Sequence, residues 1–339
     1  MAENLPSKTI DTLYKEVKQV IEEARNTVYQ TTNFRMLEAY WNVGKLIVEK
    51  EQEGKERAGY GKQLMLGLSR KLTKEMGRGF SLSNLFNMRN LYLGYPIFQT
   101  VSGKLSWSHY CELLIVDDPA KRSFYEQESI NSNWGVRELK RQMNTSLFER
   151  LLLSEGKGNK EVVLKLSREG QVIRNASDVM KDPYVFEFLG IPENKPVLEK
   201  ELEAKLIRHI EDFLLELGKG FMYVGSQQRI TLGNEHYYVD MVFYNKILRA
   251  YILIDLKARK LKHMDVGQMN AYLNYYKAEV NEETDNDPIG IVLCTEKSEL
   301  EAQYALGGLT NQVFASKYVY HLPDKELLIE QVEKVIEKK

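Results

Sequence analysis

At 339 residues the chain is long for one hydrophobic core and suits two domains, and its 43% hydrophobic and 10% aromatic content is ordinary for a globular protein. A net charge of −1 excludes a uniformly basic nucleic-acid coat but leaves room for local imbalance. There is no apolar run of about eighteen residues, and Met1 to Ile10 is too polar for a signal peptide, so a cytoplasmic protein without membrane contact is expected. Cys111 and Cys294 lie far apart in apolar surroundings, which predicts two buried core residues rather than a disulfide framework or a zinc site.

The first 155 residues read as helical. Apolar residues recur at helical spacing in Leu13 to Val28, Phe34 to Val48, Tyr60 to Met76, Leu82 to Leu93, Ser106 to Leu114 and Val136 to Leu153, with Gly54, Gly59, Gly77 and Gly79 as breaks. The polar stretch Ser154 to Glu161, with Gly156 and Gly158, predicts an interruption, so residues 156–190 are expected to be a linker and connecting segment. Residues 191–339 then change character. One helix, Val197 to Leu217, carries an apolar stripe and stops at Gly218 and Gly220. Strand-like runs follow at Phe221 to Leu232, His236 to Tyr244 and Arg249 to Ala258, then a helix from Met264 to Tyr276 and a strand from Ile289 to Thr295. A further helix, a short strand Tyr318 to His321 and a helix after Pro323 close the chain.

Within these strands lies a group of charges in apolar surroundings. The run Ala250 to Ile254 has the composition of a strand buried on both faces, yet it ends in Asp255, Leu256 and Lys257. Alternation along a strand sets Asp255 and Lys257 on one face and Leu256 on the other. The preceding strand holds Asp240, a lone acid in Tyr-Tyr-Val-Asp-Met-Val-Phe-Tyr. If a hairpin pairs Asn245 with Ala250, counting outward in step sets Asp240 opposite Asp255, with Cβ atoms roughly 5 Å apart. Two carboxylates so placed repel unless a counter-charge joins them, and a divalent cation is the obvious one. Glu203, bordering the stripe of the preceding helix, is a third acid within reach of the sheet edge; Glu199 competes with it. Gln268 and Tyr272 lie four apart on the helix after the strand pair.

The order Glu, Asp, Asp-x-Lys, Gln-x-x-x-Tyr on helix, strand, strand, helix resembles the PD-(D/E)xK nuclease superfamily and, in its last element, that superfamily's RecB-like branch. Val239 stands where the superfamily motif has proline. More closely, the whole chain resembles the bacterial YhcG-like family, in the stretches Gly79 to Pro96, Asp182 to Gly190 and Leu214 to Gly225. The resemblance implies an α-helical N-terminal domain followed by an α/β restriction-endonuclease-like domain with a mixed central sheet. It also implies a Mg²⁺-dependent (or Mn²⁺-dependent) deoxyribonuclease in which Asp240, Asp255 and Glu203 ligate the metal, Lys257 acts on the attacking water, and Gln268 and Tyr272 contact the phosphate or fix Lys257. A degenerate, non-cleaving fold serving nucleic-acid binding or complex assembly is the alternative.

Two basic patches complete the picture. From Lys55 to Asn90 eight basic residues face two acids, and the helices on either side of Gly77 to Gly79 form a helix-turn-helix-like pair. Arg70, Lys71, Lys74 and Arg78 are expected to hold phosphates, and Asn84, Asn87 and Arg89 to meet base edges. Arg259, Lys260 and Lys262, beside the Asp-x-Lys strand, are expected to guide the backbone of DNA. Substrate structure, endo- or exonuclease action, homo-oligomerisation and any partner in a nucleic-acid-processing or defence complex are left open.

Overall fold

The computed structural model describes residues 7–53, 60–154, 160–192, 197–298, 312–322 and 324–337. The chain divides into two compact units, Met1–Leu139 and Lys140–Lys339. No helix among the described residues is long and apolar enough to cross a membrane.

The first unit is helical. Instead of two helices it begins with one, α1 (Ser7–Glu53), because Tyr29 to Asn33 contains neither glycine nor proline to stop propagation. Helix α2 (Tyr60–Met76) ends at Gly77, whose φ of 93° suits glycine. A single 3₁₀ turn leads to α3 (Leu82–Gly94), capped by Ser81, whose Oγ accepts from the Asn84 amide at 3.3 Å. The later half of α1 packs on α3, burying Ile47 with Leu85 and Met88. The approach is closest at Gly44, where a Cβ would lie 2.0 Å from the Met88 carbonyl oxygen. Helix α4 (Trp107–Leu113) follows as expected. The unexpected α5 (Pro119–Asn131) has a readable start, an Asp118 cap with proline at the first helical position. Cys111 is only half-buried, its Sγ accepting from Asn87 Nδ2 at 3.3 Å, whereas Cys294 is a core residue as expected.

Helix α6 (Val136–Asn144) runs across the division between units. It is separate from α7 (Leu147–Ser154) because Ser146 turns left-handed at φ 54°. The expected linker instead holds α8 (Lys160–Glu169) and a two-residue strand, β1 (Tyr184–Val185). Its glycines, Gly156 and Gly158, lie outside the described residues, as does the helix expected between Thr295 and Tyr318. The segment is tied in by Glu187, which pairs with Arg141 at 2.8 Å, and by the Val185 amide, which donates to Glu216 at 3.0 Å.

The expected long helix is bent into α9 (Glu199–Arg208) and α10 (Ile210–Leu217) by His209, which leaves the helical region. Strands β2 (Phe221–Leu232), β3 (Glu235–Asn245), β4 (Ala250–Lys260), β5 (Ile289–Glu296) and β6 (Gln312–Val319) form with β1 a sheet of order β1-β6-β5-β4-β3-β2. The β2-β3-β4 part is antiparallel and the remainder parallel, the expected mixed sheet. Leu202, Leu206 and Phe213 pack on one face against Phe243, Ile252 and Ile254. Helix α11 (His263–Tyr275) covers the other with Met269, Tyr272 and Leu273 against Val242, Leu253 and Val292. A last helix, α12 (Lys325–Glu337), packs near α7.

Candidate active site

The β3–β4 hairpin has the register expected from the sequence, with Asn245 paired to Ala250 and Met241 to Ile254. Asn245 fixes it: its Oδ1 accepts from the amides of Ile247 and Leu248, and its Nδ2 donates to the Lys219 carbonyl. One step further along the same register, Asp240 and Asp255 come close enough for the Asp240 carboxylate to act on the charge of Asp255. Asp240 Oδ2 also accepts from the Leu256 amide at 2.8 Å, so this carboxylate stands where the ladder would continue. Lys257 Nζ lies 2.7 Å from Asp255 Oδ2. Both Asp255 and Lys257 are buried.

Burial raises the pKa of Asp255, and the neighbouring Asp240 carboxylate raises it further, to about 7 against the pull of Lys257. Asp240 is raised as well, by burial, although the Leu256 amide and Lys257 oppose the shift. Burial lowers the pKa of Lys257, but Asp255, Asp240 and Glu199 outweigh it and hold the ammonium above its usual range.

Glu203 is buried and reaches the pair through an intermediary absent from the sequence reading. Gln227 Nε2 donates to Glu203 Oε2 at 2.8 Å and to Asp240 Oδ1 at 3.2 Å. Gln227 adopts φ 48° in an irregular part of β2. Glutamine in this region of conformational space is uncommon outside special sites. The only sequence signal was a polar Ser-Gln-Gln-Arg interruption in a strand. Glu199, the competing acid, instead accepts from the Ala258 amide at 3.0 Å and pins the end of β4. Gln268 donates to the Tyr272 hydroxyl, which in turn donates to the Tyr238 carbonyl at 3.3 Å; the tyrosine lies close enough to feel the charges of Asp255 and Lys257.

Several expected nucleic-acid contacts are spoken for inside the protein. Arg259 forms a two-pronged pair with Asp265 at 2.7 and 2.8 Å. In the first unit Asn84 bonds Gly79 and Trp107, Asn87 bonds Cys111, and Arg89 pairs with Glu51 at 2.7 Å. These bonds hold the side chains against their own neighbours in the fold. Arg70, Lys71, Lys74, Arg78, Lys260 and Lys262 are exposed; Lys55 and Arg57 lie outside the described residues.

Three carboxylates offer the hard oxygen donors that Mg²⁺ and Mn²⁺ prefer. One of their oxygens, Glu203 Oε1, is buried without a hydrogen bond, a deficit that a cation would remove, while Asp255 Oδ2 faces Lys257 Nζ. Among the described residues no ready-made group of three or more His, Cys, Asp and Glu side chains could hold a metal. The Gln227 amide between Glu203 and Asp240 accounts for that separation.

Comparison with known proteins identifies the family. Residues 177–333 match the YhcG PDDEXK nuclease domain, and residues 16–150 match the DUF1016 N-terminal domain. "Putative nuclease YhcG" of Escherichia coli (strain K12) is 37% identical over 352 residues, covering 94% of this chain and 92% of its own length. The crystal structure of a repair endonuclease from Pyrococcus abyssi matches over 39% of this chain and 50% of its own, at 18% identity and a TM-score of 0.26, too low to bear on function. Two domain matches in the same order, together with a relative aligned over almost the whole length, show that this chain belongs to the YhcG family of PDDEXK nucleases.

Proposed function

We propose that the chain hydrolyses phosphodiester bonds in DNA with the help of Mg²⁺ or Mn²⁺, and that its helical unit brings the nucleic acid to the nuclease domain. The supporting observation is the convergence of Asp240, Asp255 and Lys257 in a buried corner of the β3–β4 hairpin. Burying like charges side by side is costly, and such an arrangement is best understood as serving a charged ligand. Asp240 and Asp255 would hold the cation, with Glu203 joining once the Gln227 amide turns aside. Bound there, the ion neutralises phosphate charge and acidifies a water.

The protein's own groups do the remainder. Lys257, kept charged by its neighbours, orients the nucleophile and stabilises charge developing on the phosphate, rather than acting as a base. Glu199 and the Leu256 amide keep the end of β4 and Asp240 in place. Gln268 and Tyr272 offer polar groups on the flank. Lys260 and Lys262 attract the backbone. Incubating the protein with labelled duplex, single-stranded and branched DNA and with RNA, with Mg²⁺, Mn²⁺ or chelator, tests this reading. Cleavage of DNA that stops with chelator is expected, and cleavage that continues unabated excludes it.

Metal binding should depend on pH through Asp255. Its carboxyl is raised above the unfolded value, so the metal-free fold is favoured on the acid side and loses stability as pH rises toward 7. A cation must displace this proton below that point. Its affinity should therefore fall by up to about tenfold per pH unit below 7 and level off above. Thermal-shift titrations with Mg²⁺ across this range check the point; a metal-induced shift independent of pH would contradict it.

Arg70, Lys71 and Lys74 changed together to Ala should weaken DNA binding at every sequence. Each phosphate contact removed should flatten the plot of log K against log salt by roughly 0.9 for duplex. Fluorescence anisotropy at several salt concentrations measures both, and an unaltered slope would mark the patch as a solvated face.

A further inference from the structure

The first half of α1 presents an apolar side to solvent. Ile10, Leu13, Val17, Val20, Ile21 and Val28 are each between 46 and 67% exposed, in contrast to Leu37, Ile47 and Val48 further along, which are buried. Their spacing is a heptad. Ile10, Val17 and Ala24 fall at its first position, Leu13 and Val20 at the fourth, and Tyr14, Ile21 and Val28 at the fifth. A stripe of this width is what a helix shows when it packs against another helix. Seven of these side chains, Tyr14 among them, are each at least 46% exposed, which makes an apolar patch of several hundred Å². A standard protein–protein interface uses about 800 Å² per partner, and patches of several hundred Å² on a lone chain generally mark association.

We propose that this segment pairs, in parallel, with the same segment of a second copy of the chain. Charge selects both the partner and its direction. One border of the stripe carries Asp11, Lys18 and Arg25, a net positive edge in which Lys18 also lies 3.7 Å from Glu22 of its own helix, and the other border carries Glu16 and Glu23. Two parallel copies related by a two-fold axis along the helices set the basic border of each beside the acidic border of the other, on both sides of the seam. An antiparallel pair would instead align basic with basic and acidic with acidic, which is destabilising. The stripe is thus complementary to itself in one orientation, and the pairing joins two helical units, and with them two nuclease domains, in one particle.

The test uses the full-length protein. Sedimentation equilibrium at micromolar concentration should give a two-chain mass for the wild type and a one-chain mass for the Val17→Glu, Val20→Glu double variant. Circular dichroism should be unchanged in that variant, because both side chains already face water in the single chain. A wild type of one-chain mass overturns the proposal, as does a two-chain mass that survives both substitutions. A monomeric wild type that floats with phosphatidylserine vesicles would reassign the stripe to a lipid surface. Direction is read separately. Ile10→Cys should oxidise to a covalent two-chain species that the wild type does not form. Preferential cross-linking between Ile10→Cys and Val28→Cys proteins, whose positions lie roughly 27 Å apart along one helix, would show an antiparallel pair instead.

Discussion

Asp255→Asn protein is expected to bind DNA with nearly wild-type affinity and to cleave it on the order of a thousandfold more slowly. The side chain keeps its size and one acceptor oxygen but loses the charge that would hold a divalent ion beside Asp240. Losing most of a metal's contribution to the transition state, about 4 kcal/mol, corresponds to that factor. Asp240→Asn should behave alike, since the two acids share one site. Lys257→Ala should also slow cleavage but leave metal binding, followed by calorimetry, nearly intact. Single-turnover cleavage assays decide the matter. Wild-type cleavage by Asp255→Asn would assign any activity to a contaminant and favour a scaffolding role for the fold.

The largest expected effect on stability lies away from that site. Glu216 is fully buried and takes charge from Arg150 at 2.5 Å and Arg141 at 3.2 Å, while its Oε1 also accepts from the Val185 amide at 3.0 Å. Burial works against its ionised form, but Arg150, Lys181 and Arg141 outweigh burial and hold the carboxyl below its ordinary range. Glu216→Ala strands the equally buried Arg150, an uncompensated charge that costs about 3 to 5 kcal/mol. Urea denaturation should show this as a fall in midpoint with little change in slope. Because the native pKa is depressed, the stabilisation is complete above the unfolded carboxylate range and is lost as pH falls through the lower native value. Replacing Arg150 and Glu216 together by Met and Leu should recover much of the loss. If the single and double variants are equally unstable, the ion pair is not what matters at this position.

The parts of this protein that were legible in its sequence are those set by short-range periodicity. Alternation along β3 and β4, with a loop of fixed length, was enough to bring Asp240 and Asp255 together, because a hairpin's register follows from counting. The bends were less accessible. His209 interrupts α9 and α10 without glycine or proline, and Tyr29 to Asn33 continues α1 despite few apolar residues. The first follows the sheet face that α9 and α10 both cover, whereas α1 continues because nothing in Tyr29 to Asn33 stops it. Gln227 escaped notice because its role arises from a left-handed residue in a strand, which no periodicity announces. Asn84, Asn87 and Arg89 have the chemistry of base readers, and only the structure shows that Trp107, Cys111 and Glu51 each engage part of their hydrogen-bonding capacity.

The turn at Lys246 to Arg249 bears on how this gene can change. Asn245 closes it from one end, while Arg249, at φ 50°, closes it from the other, with its guanidinium on the Thr284 carbonyl at 2.6 Å. Adding or deleting one codon there would slide β4 by one position against β3, so that Asp240 faced Ile254 or Leu256 in place of Asp255. Surface turns ordinarily drift in length between related proteins. This one is expected to keep its length while its exposed side chains vary, since on the proposed function a frame-preserving insertion has the same consequence as removing Asp240 or Asp255.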